Sequence, residues 1–287
     1  MDEEQDRKPA TFTGRLQLEA FKYTSPEPST LRRNPPRAAS TPSRTSTPKD
    51  ESPSIASPRK RPSSQYPAKK KRARTASGYA PPSTYAHLPL LPDAIAQNLL
   101  VLFVGLNPGI RTATTGHAYN HPSNLFWKLM YTSGVTPRRC YAEEDRKMPE
   151  LYSLGLTNIV ARPTRNGSEL SKAEMDDGVA LLEEKARKYR PESMCVVGKS
   201  IWESIWRVRH GSNVGKLFKY GWQDEEENMG VVEGEWGGAR VFVASSTSGL
   251  AATLSPAEKE RIWGELGAWV KMRRAEREVA EIKEEEE

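Results

Sequence analysis

The sequence predicts an α/β protein: a single three-layer domain with a mainly parallel central sheet flanked by helices, preceded by a disordered basic arm. Three observations predict it. Apolar runs of strand length at residues 99–104 and 194–197 each end at a glycine, as expected of strands buried on both faces. Stretches with helical apolar spacing alternate with them, the order that builds parallel sheets. Composition also changes near residue 85, where the Pro, Ser and Thr density falls and periodic apolar patterning begins.

Residues 1–85 hold 13 of the 22 prolines, 21 Ser/Thr and 17 Lys/Arg against 8 Asp/Glu. Such a stretch buries too little apolar surface to offset the entropy of ordering it. Its basic clusters, Arg59-Lys60-Arg61 and Lys69-Lys70-Lys71-Arg72-Ala73-Arg74, suit nuclear import or an electrostatic tether to DNA. The whole chain carries +6, so the basic character belongs to this arm. No apolar run approaches the roughly 20 residues of a spanning helix, and no association with a membrane is expected. Only Cys140 and Cys195 occur, in no C-x-x-C pair, which disfavours a disulfide framework or a zinc ribbon.

The domain is read as residues 86–272, with a charged helical or frayed tail at 273–287. Its first strand is Leu99–Val104, followed by a loop over 106–122. A helix over Ser123–Ser133 places Leu125, Phe126, Leu129 and Met130 on one face and stops at Gly134. A strand is predicted at Thr157–Val160. Ser171-Lys172-Ala173-Glu174 has the form of a capping box and opens a helix to about Tyr189, ended by Pro191. Met194–Val197 is the third strand, Ile201–Val208 the next helix, and 209–230 a loop. Val231–Trp236 and Arg240–Ala244 either pair as a hairpin or only the second joins the sheet. Ser255-Pro256-Ala257-Glu258 combines an N-cap, a first-turn proline and a capping glutamate, so the last helix starts there.

In such folds ligands bind at loops leaving the carboxyl ends of strands, which singles out 106–122 and 245–254. The first begins Gly105-Leu106-Asn107-Pro108-Gly109-Ile110, a glycine-rich turn able to offer backbone donors to an anion. It lacks the Lys-Ser/Thr of a P-loop and the G-x-G-x-x-G spacing, so a nucleoside triphosphate or dinucleotide site is disfavoured. No His/Cys/carboxylate cluster has metal spacing; neither metal nor cofactor is expected.

Gly-Leu-Asn-Pro-Gly after a buried strand, then Gly-x-x-Tyr-x-His-Pro and Asn-x-Phe-Trp-Lys, resembles the mismatch-specific uracil/thymine DNA glycosylase family. Leu156-Thr-Asn-Ile-Val-Ala-Arg-Pro-Thr, Glu169-Leu-Ser-Lys-Ala-Glu, Val196-Val-Gly-Lys and Ser245-Ser246-Thr247-Ser248-Gly249-Leu250 follow in the family's order, across about residues 97–270. The resemblance implies a uracil-DNA glycosylase-like fold and a monofunctional hydrolase. It would flip uracil, and beyond it thymine or a modified pyrimidine, mispaired with guanine and cut its N-glycosidic bond. An abasic site would be left for base excision repair.

By the same analogy Asn107 is catalytic and orients the attacking water. Tyr119 is the stacking platform for the base, the backbone from Ile110 to Tyr119 presents donors and acceptors to the pyrimidine edge, and His117 touches base or phosphate, with a plain surface histidine as its alternative. Ser246, Ser248, Gly249 and Leu250 engage DNA, Leu250 as the wedge that enters the gap. Lys199 and the Arg162–Arg165 loop are phosphate contacts. The implied partners are double-stranded DNA with G·U or G·T mismatches and an abasic-site endonuclease, for a monomeric protein of the nucleus. Where family members carry Pro-Asn-Pro or Pro-Ser-Ser, this chain has Ser245-Ser246-Thr247. Three plainer readings stand beside these: Asn107 as a turn residue, Leu250 as a core anchor of the last helix, and the whole as a weakly catalytic mismatch- or abasic-DNA-binding chromatin protein.

Overall fold

The computed structural model describes residues 78–286, with side chains through Glu284. The two basic clusters and the arm as far as residue 77 lie outside the described residues. The rest of the stretch read as arm, 78–85, belongs to the folded unit. It contains a 3-10 turn at Pro82–Tyr85, and Tyr79, Ala80 and Tyr85 find partners on the domain that composition alone does not reveal.

Five strands form the sheet: β1 (Val101–Gly105), β2 (Leu154–Asn158), β3 (Ser193–Val197), β4 (Gly221–Trp222) and β5 (Arg240–Ala244). Their order is β2-β1-β3-β5-β4. All neighbours are parallel except the edge pair β4–β5, which is antiparallel. Six helices accompany them: α1 (Ile110–Thr115), α2 (Phe126–Thr132), α3 (Met148–Tyr152), α4 (Lys172–Tyr189), α5 (Lys199–His210) and α6 (Pro256–Glu286). The predicted three-layer α/β class is what the chain adopts.

Side chains of β1 alternate between two cores, as strand geometry requires. Val101 and Phe103 join Phe126, Met130, Trp263 and Leu266 of α2 and α6 on one face. Leu102 and Val104 join Val179, Leu182, Ile201 and Trp202 of α4 and α5 on the other. Both predicted capping boxes form: Ser171 Oγ accepts from Glu174 N at 3.2 Å, and Ser255 Oγ from Glu258 N at 3.2 Å.

Several boundaries differ from the sequence reading. β2 begins three residues before the predicted Thr157, since Gly155 interrupts the apolar run. A Cβ there would lie 2.3 Å from Leu99 Cδ1, so the glycine lets core leucines cover the strand. The 106–122 loop contains α1, too short for a clear period, closed by Gly116 at φ +73°. The 209–230 loop contains β4, whose Trp222 packs edgewise on Phe242 and Trp269. Of the two segments 231–236 and 240–244 only the second joins the sheet; Val232 bridges to Trp236 instead. α6 runs through the charged end without a break at Met272. Arg273 and Arg277 there bond Glu192, while Arg274 donates to the carbonyls of Val135 and Tyr152.

Candidate active site

β1 lies between β2 and β3, so the chain leaves it first to one side and then to the other. The loops diverge there and leave a crevice at the carboxyl ends of the strands. A cavity of about 720 Å³ occupies it. Gly105, Asn158 and Val197, the last residues of β1, β2 and β3, all line it, together with the loop after β5.

Asn107 sits two residues beyond β1 in this cavity wall. Its Nδ2 donates to Thr164 Oγ1 at 2.8 Å, to the Arg162 carbonyl at 3.0 Å and to the Pro108 carbonyl at 3.2 Å. Thr164 passes its own hydrogen to the Asn166 carbonyl at 2.8 Å, so toward Asn107 it acts as acceptor. Three acceptors around one end fix the amide's orientation, because the flipped amide would set oxygen against carbonyl oxygens. Oδ1 is left without a protein partner among the described residues, a fixed acceptor in the wall of the cavity. The strand geometry supporting it is backbone: Thr164 N donates to Pro108 O at 3.1 Å, and Val160 N to Leu106 O at 3.0 Å.

Tyr119 forms part of the same cavity. Phe126, fully buried, stacks behind its ring with centroids 3.9 Å apart and planes 7° from parallel. The Tyr119 backbone is left-handed at φ +56°. Its hydroxyl is buried without a hydrogen-bond partner, and burial, with a smaller effect from Cys195, pushes the phenol far above its ordinary value. It is therefore a neutral donor at any physiological pH. A Cβ on Gly105 would stand 2.8 Å from this hydroxyl and 2.5 Å from Asn158 Oδ1. Glycine at the end of β1 is what lets both groups approach the backbone.

On the cavity's other rim, the 245–254 loop is tied down at several points. Trp263 Nε1 donates to Ser245 Oγ at 3.2 Å, Leu125 N to Thr247 O at 2.9 Å, and the buried Lys259 ammonium to Ala251 O at 2.8 Å. Ser246 and Ser248 accept from the backbone N–H groups of Ser248 and Leu250, each at 3.3 Å, shaping the turn. Between these anchors Leu250 projects with 82% of its surface exposed. It is not a core anchor for α6. A lone exposed leucine is ordinary on a protein surface; what sets this one apart is its place on the rim of the cavity, in a loop anchored on both sides.

Residues 92–267 match the family model of the uracil DNA glycosylase superfamily. The chain belongs to that superfamily. A G/U mismatch-specific uracil DNA glycosylase of Schizosaccharomyces pombe (strain 972) is 39% identical to it over 176 residues. The shared region covers 60% of this chain and 51% of that protein, so the chain spans about half the length of the curated relative. A solution NMR structure of a candidate uracil DNA glycosylase from Methanosarcina acetivorans is 16% identical, with TM-score 0.43, covering 64% of this chain and 98% of that one. The resemblance drawn from the separated motifs is thus borne out.

Within this superfamily member, Asn107, Tyr119, Ser246, Ser248, Gly249 and Leu250 all meet at the one cavity. Other sequence-selected residues do not. Ile110 opens α1 on the outer surface and is absent from the cavity wall. His117 is absent from the wall too, although its Nδ1 lies 3.1 Å from Oδ1 of Asp145, a buried residue that does line the cavity and whose Oδ2 accepts from Ala118 N at 2.7 Å. His121 lines the cavity in its place, bonded to Ser123 Oγ at 2.8 Å. Lys199 pairs with Glu203 at 3.7 Å and lies over the Phe218 ring, outside the cavity wall. Arg162 is largely buried in its ion pair with Glu174, whereas Arg165 lines the cavity and is 73% exposed, with one guanidinium nitrogen 3.2 Å from Glu169. Sequence reasoning passed over Asn158 and Thr164. A polar residue ending a buried strand was the available signal for Asn158; Thr164 gave none beyond its place in a motif.

Proposed function

We propose that the protein is a monofunctional DNA glycosylase that flips uracil mispaired with guanine and hydrolyses its N-glycosidic bond. The observation that carries this reading is the pinned amide of Asn107, whose free oxygen stands in the same cavity as a phenylalanine-backed tyrosine and opposite an exposed leucine. The similarity to the G/U mismatch-specific relative supports the choice of uracil opposite guanine.

In this mechanism Leu250 fills the space left by the extruded nucleotide while Ser246, Ser248 and Gly249 contact the opposite strand. The base stacks on Tyr119, with Asn158 available to its polar edge. Asn107 Oδ1 accepts a hydrogen bond from water and so aims an oxygen lone pair at the sugar. An amide is too weak a base to take the proton in advance, so bond breaking leads, with cationic character on the sugar and negative charge on the departing base. Donors that meet the base's oxygens stabilise that charge as it forms. Thymine and modified pyrimidines are the further substrates, and a mispaired base is favoured because it unstacks at lower cost.

The product is an abasic site, bound until an abasic-site endonuclease takes over, by a protein acting as a monomer in the nucleus. The arm's basic clusters support the last assignment. The test is single-turnover base release from duplexes differing in one pair, G·U, G·T, A·U and G·C, alongside single-stranded uracil, with Asn107→Ala as control. Release from G·U above A·U, lost in the variant while duplex binding persists, is expected. Tight mismatch binding without release from any substrate would show a non-catalytic binder.

A further inference from the structure

The region shared with the superfamily begins at residue 92, yet the cavity loop is gripped from outside by residues that precede it. Ala80 N donates to Glu169 O at 3.1 Å, and Tyr85 Oη donates to Glu169 Oε2 at 2.9 Å. Arg162 Nη2 reaches both the Ala80 carbonyl at 3.0 Å and the Glu169 carbonyl at 3.1 Å, with the Tyr79 ring 6.0 Å from the guanidinium. Gly78 lies against Ser168, a residue of the cavity wall. Ala80 is buried, but none of Gly78–Tyr85 joins either of the two core clusters, and the Pro82–Tyr85 turn buries no residue. The segment thus contributes polar contacts to one loop and little to the cores.

That loop is the one that fixes Asn107. The carbonyl of Arg162 and the hydroxyl of Thr164 are two of the three acceptors on Asn107 Nδ2. Arg162 therefore faces both ways, its carbonyl toward the amide and its guanidinium toward the N-terminal segment. Glu169 does similar work: its buried carboxylate accepts from Tyr85 and from the Arg165 backbone N–H at 2.9 Å. A surface loop held on only its inner side samples wider geometry, and small displacements of an orienting group cost rate more than binding.

We infer that Gly78–Tyr85 is a brace that positions Asn107 through the 162–169 loop, with Tyr85 and Ala80 as positioning residues. Its catalytic meaning rests on the glycosylase reading; its structural content does not.

The experiment uses the full chain with Tyr85→Phe, Ala80→Pro and the two combined. Glu192→Gln serves as a stability control, because Glu192 binds Arg273 and Arg277 at the amino end of β3, away from the cavity. The readouts are melting temperature, duplex affinity, single-turnover rate on G·U, hydrogen exchange of the Thr164 amide and the NMR signal of the Asn107 side-chain amide. The expected result is a rate lower by about threefold for Tyr85→Phe and about tenfold for the combination, affinity within about twofold, faster Thr164 exchange and a moved Asn107 signal. Glu192→Gln should lower the melting temperature with rate and Asn107 signal unchanged. An unmoved Asn107 signal and unchanged Thr164 exchange in the combined variant overturn the brace, as does an equal rate loss in Glu192→Gln. Should the natural protein release no base, the glycosylase reading fails while the exchange and NMR arms still decide the brace.

Discussion

Thr164→Val tests the orientation of the Asn107 amide with the least disturbance of shape. Valine keeps the branching and volume of the buried threonine and its backbone N–H, which donates to Pro108 O at 3.1 Å. What disappears is the hydroxyl, and with it the shortest of the three contacts to Asn107 Nδ2, at 2.8 Å, and the 2.8 Å donation to Asn166 O. Two hydrogen bonds at about 1 kcal/mol each give a loss of about 2 kcal/mol. For a domain of this size that lowers the melting temperature by about 4–8 °C. The amide keeps the carbonyls of Arg162 and Pro108, so it stays in place but is held less tightly. If the one lost contact to Asn107, about 1 kcal/mol, is felt in the transition state, base release slows about fivefold. The assay is single-turnover release from a G·U duplex at saturating enzyme, with affinity measured separately. A rate equal to that of the natural protein, with the melting temperature lowered as predicted, would falsify the idea that this contact orients the amide for chemistry.

Three further predictions concern other parts of the site. In Gly105→Ala the new methyl would meet Asn158 Oδ1 at 2.5 Å and the Tyr119 hydroxyl at 2.8 Å; displacing both should lower base release by about a hundredfold, and near-normal kinetics would show that neither group is needed where it stands. Leu250→Ala, at a side chain 82% exposed, should leave stability within about 0.5 kcal/mol but slow release from duplex DNA more than from single-stranded uracil. An equal effect on the two substrates would count against a wedge. In the third, Glu174 is held at about 2 against an ordinary 4.5, chiefly by its bond to Arg162, with Ser171 assisting and burial opposing. A depressed carboxylate stabilises the fold fully above pH 4.5 and loses that contribution as pH falls toward 2. Glu174→Gln should therefore flatten the loss of stability across that window, and an unchanged acid slope in urea titrations would refute the assignment.

How much of this was legible in the sequence depends on what kind of signal each part leaves. β1 and β3 announce themselves as unbroken apolar runs, and the two capping boxes as spaced pairs, because those features act over a few neighbouring residues. β2 was misplaced because Gly155 serves packing against Leu99, a contact 56 residues away in sequence. β4 is two residues long and is held by aromatic packing rather than by a period. At the site, Asn107 and Tyr119 were legible through their motifs, but the roles assigned to His117 and Lys199 depended on side-chain direction. The loop after β1 turns His117 toward Asp145 and brings His121 to the cavity. The end of the arm was misread for a related reason: Ala80 and Tyr85 bind a loop that follows them by more than 80 residues, and no local composition encodes such a partner.

The arrangement divides its work between fixed and exposed parts. Orientation at Asn107 comes from backbone carbonyls and one hydroxyl, groups set by the strand ends and the 162–169 loop, so little reorganisation is left for the moment of reaction. In the proposed mechanism contact with DNA falls to Leu250 and Arg165, exposed side chains on the two rims of the cavity. An amide so held can aim a water but not ionise it. The reaction must then draw most of its driving force from weakening the glycosidic bond and from stabilising the departing base. Bases that leave with a more stable negative charge should be released faster by the same site. Substituting the uracil ring at its fifth position with groups of increasing electron withdrawal, at similar size, should therefore raise the single-turnover rate in order of leaving-group acidity. A rate indifferent to that acidity would mean that water attack, rather than bond breaking, leads the reaction and that Asn107 does more than orient.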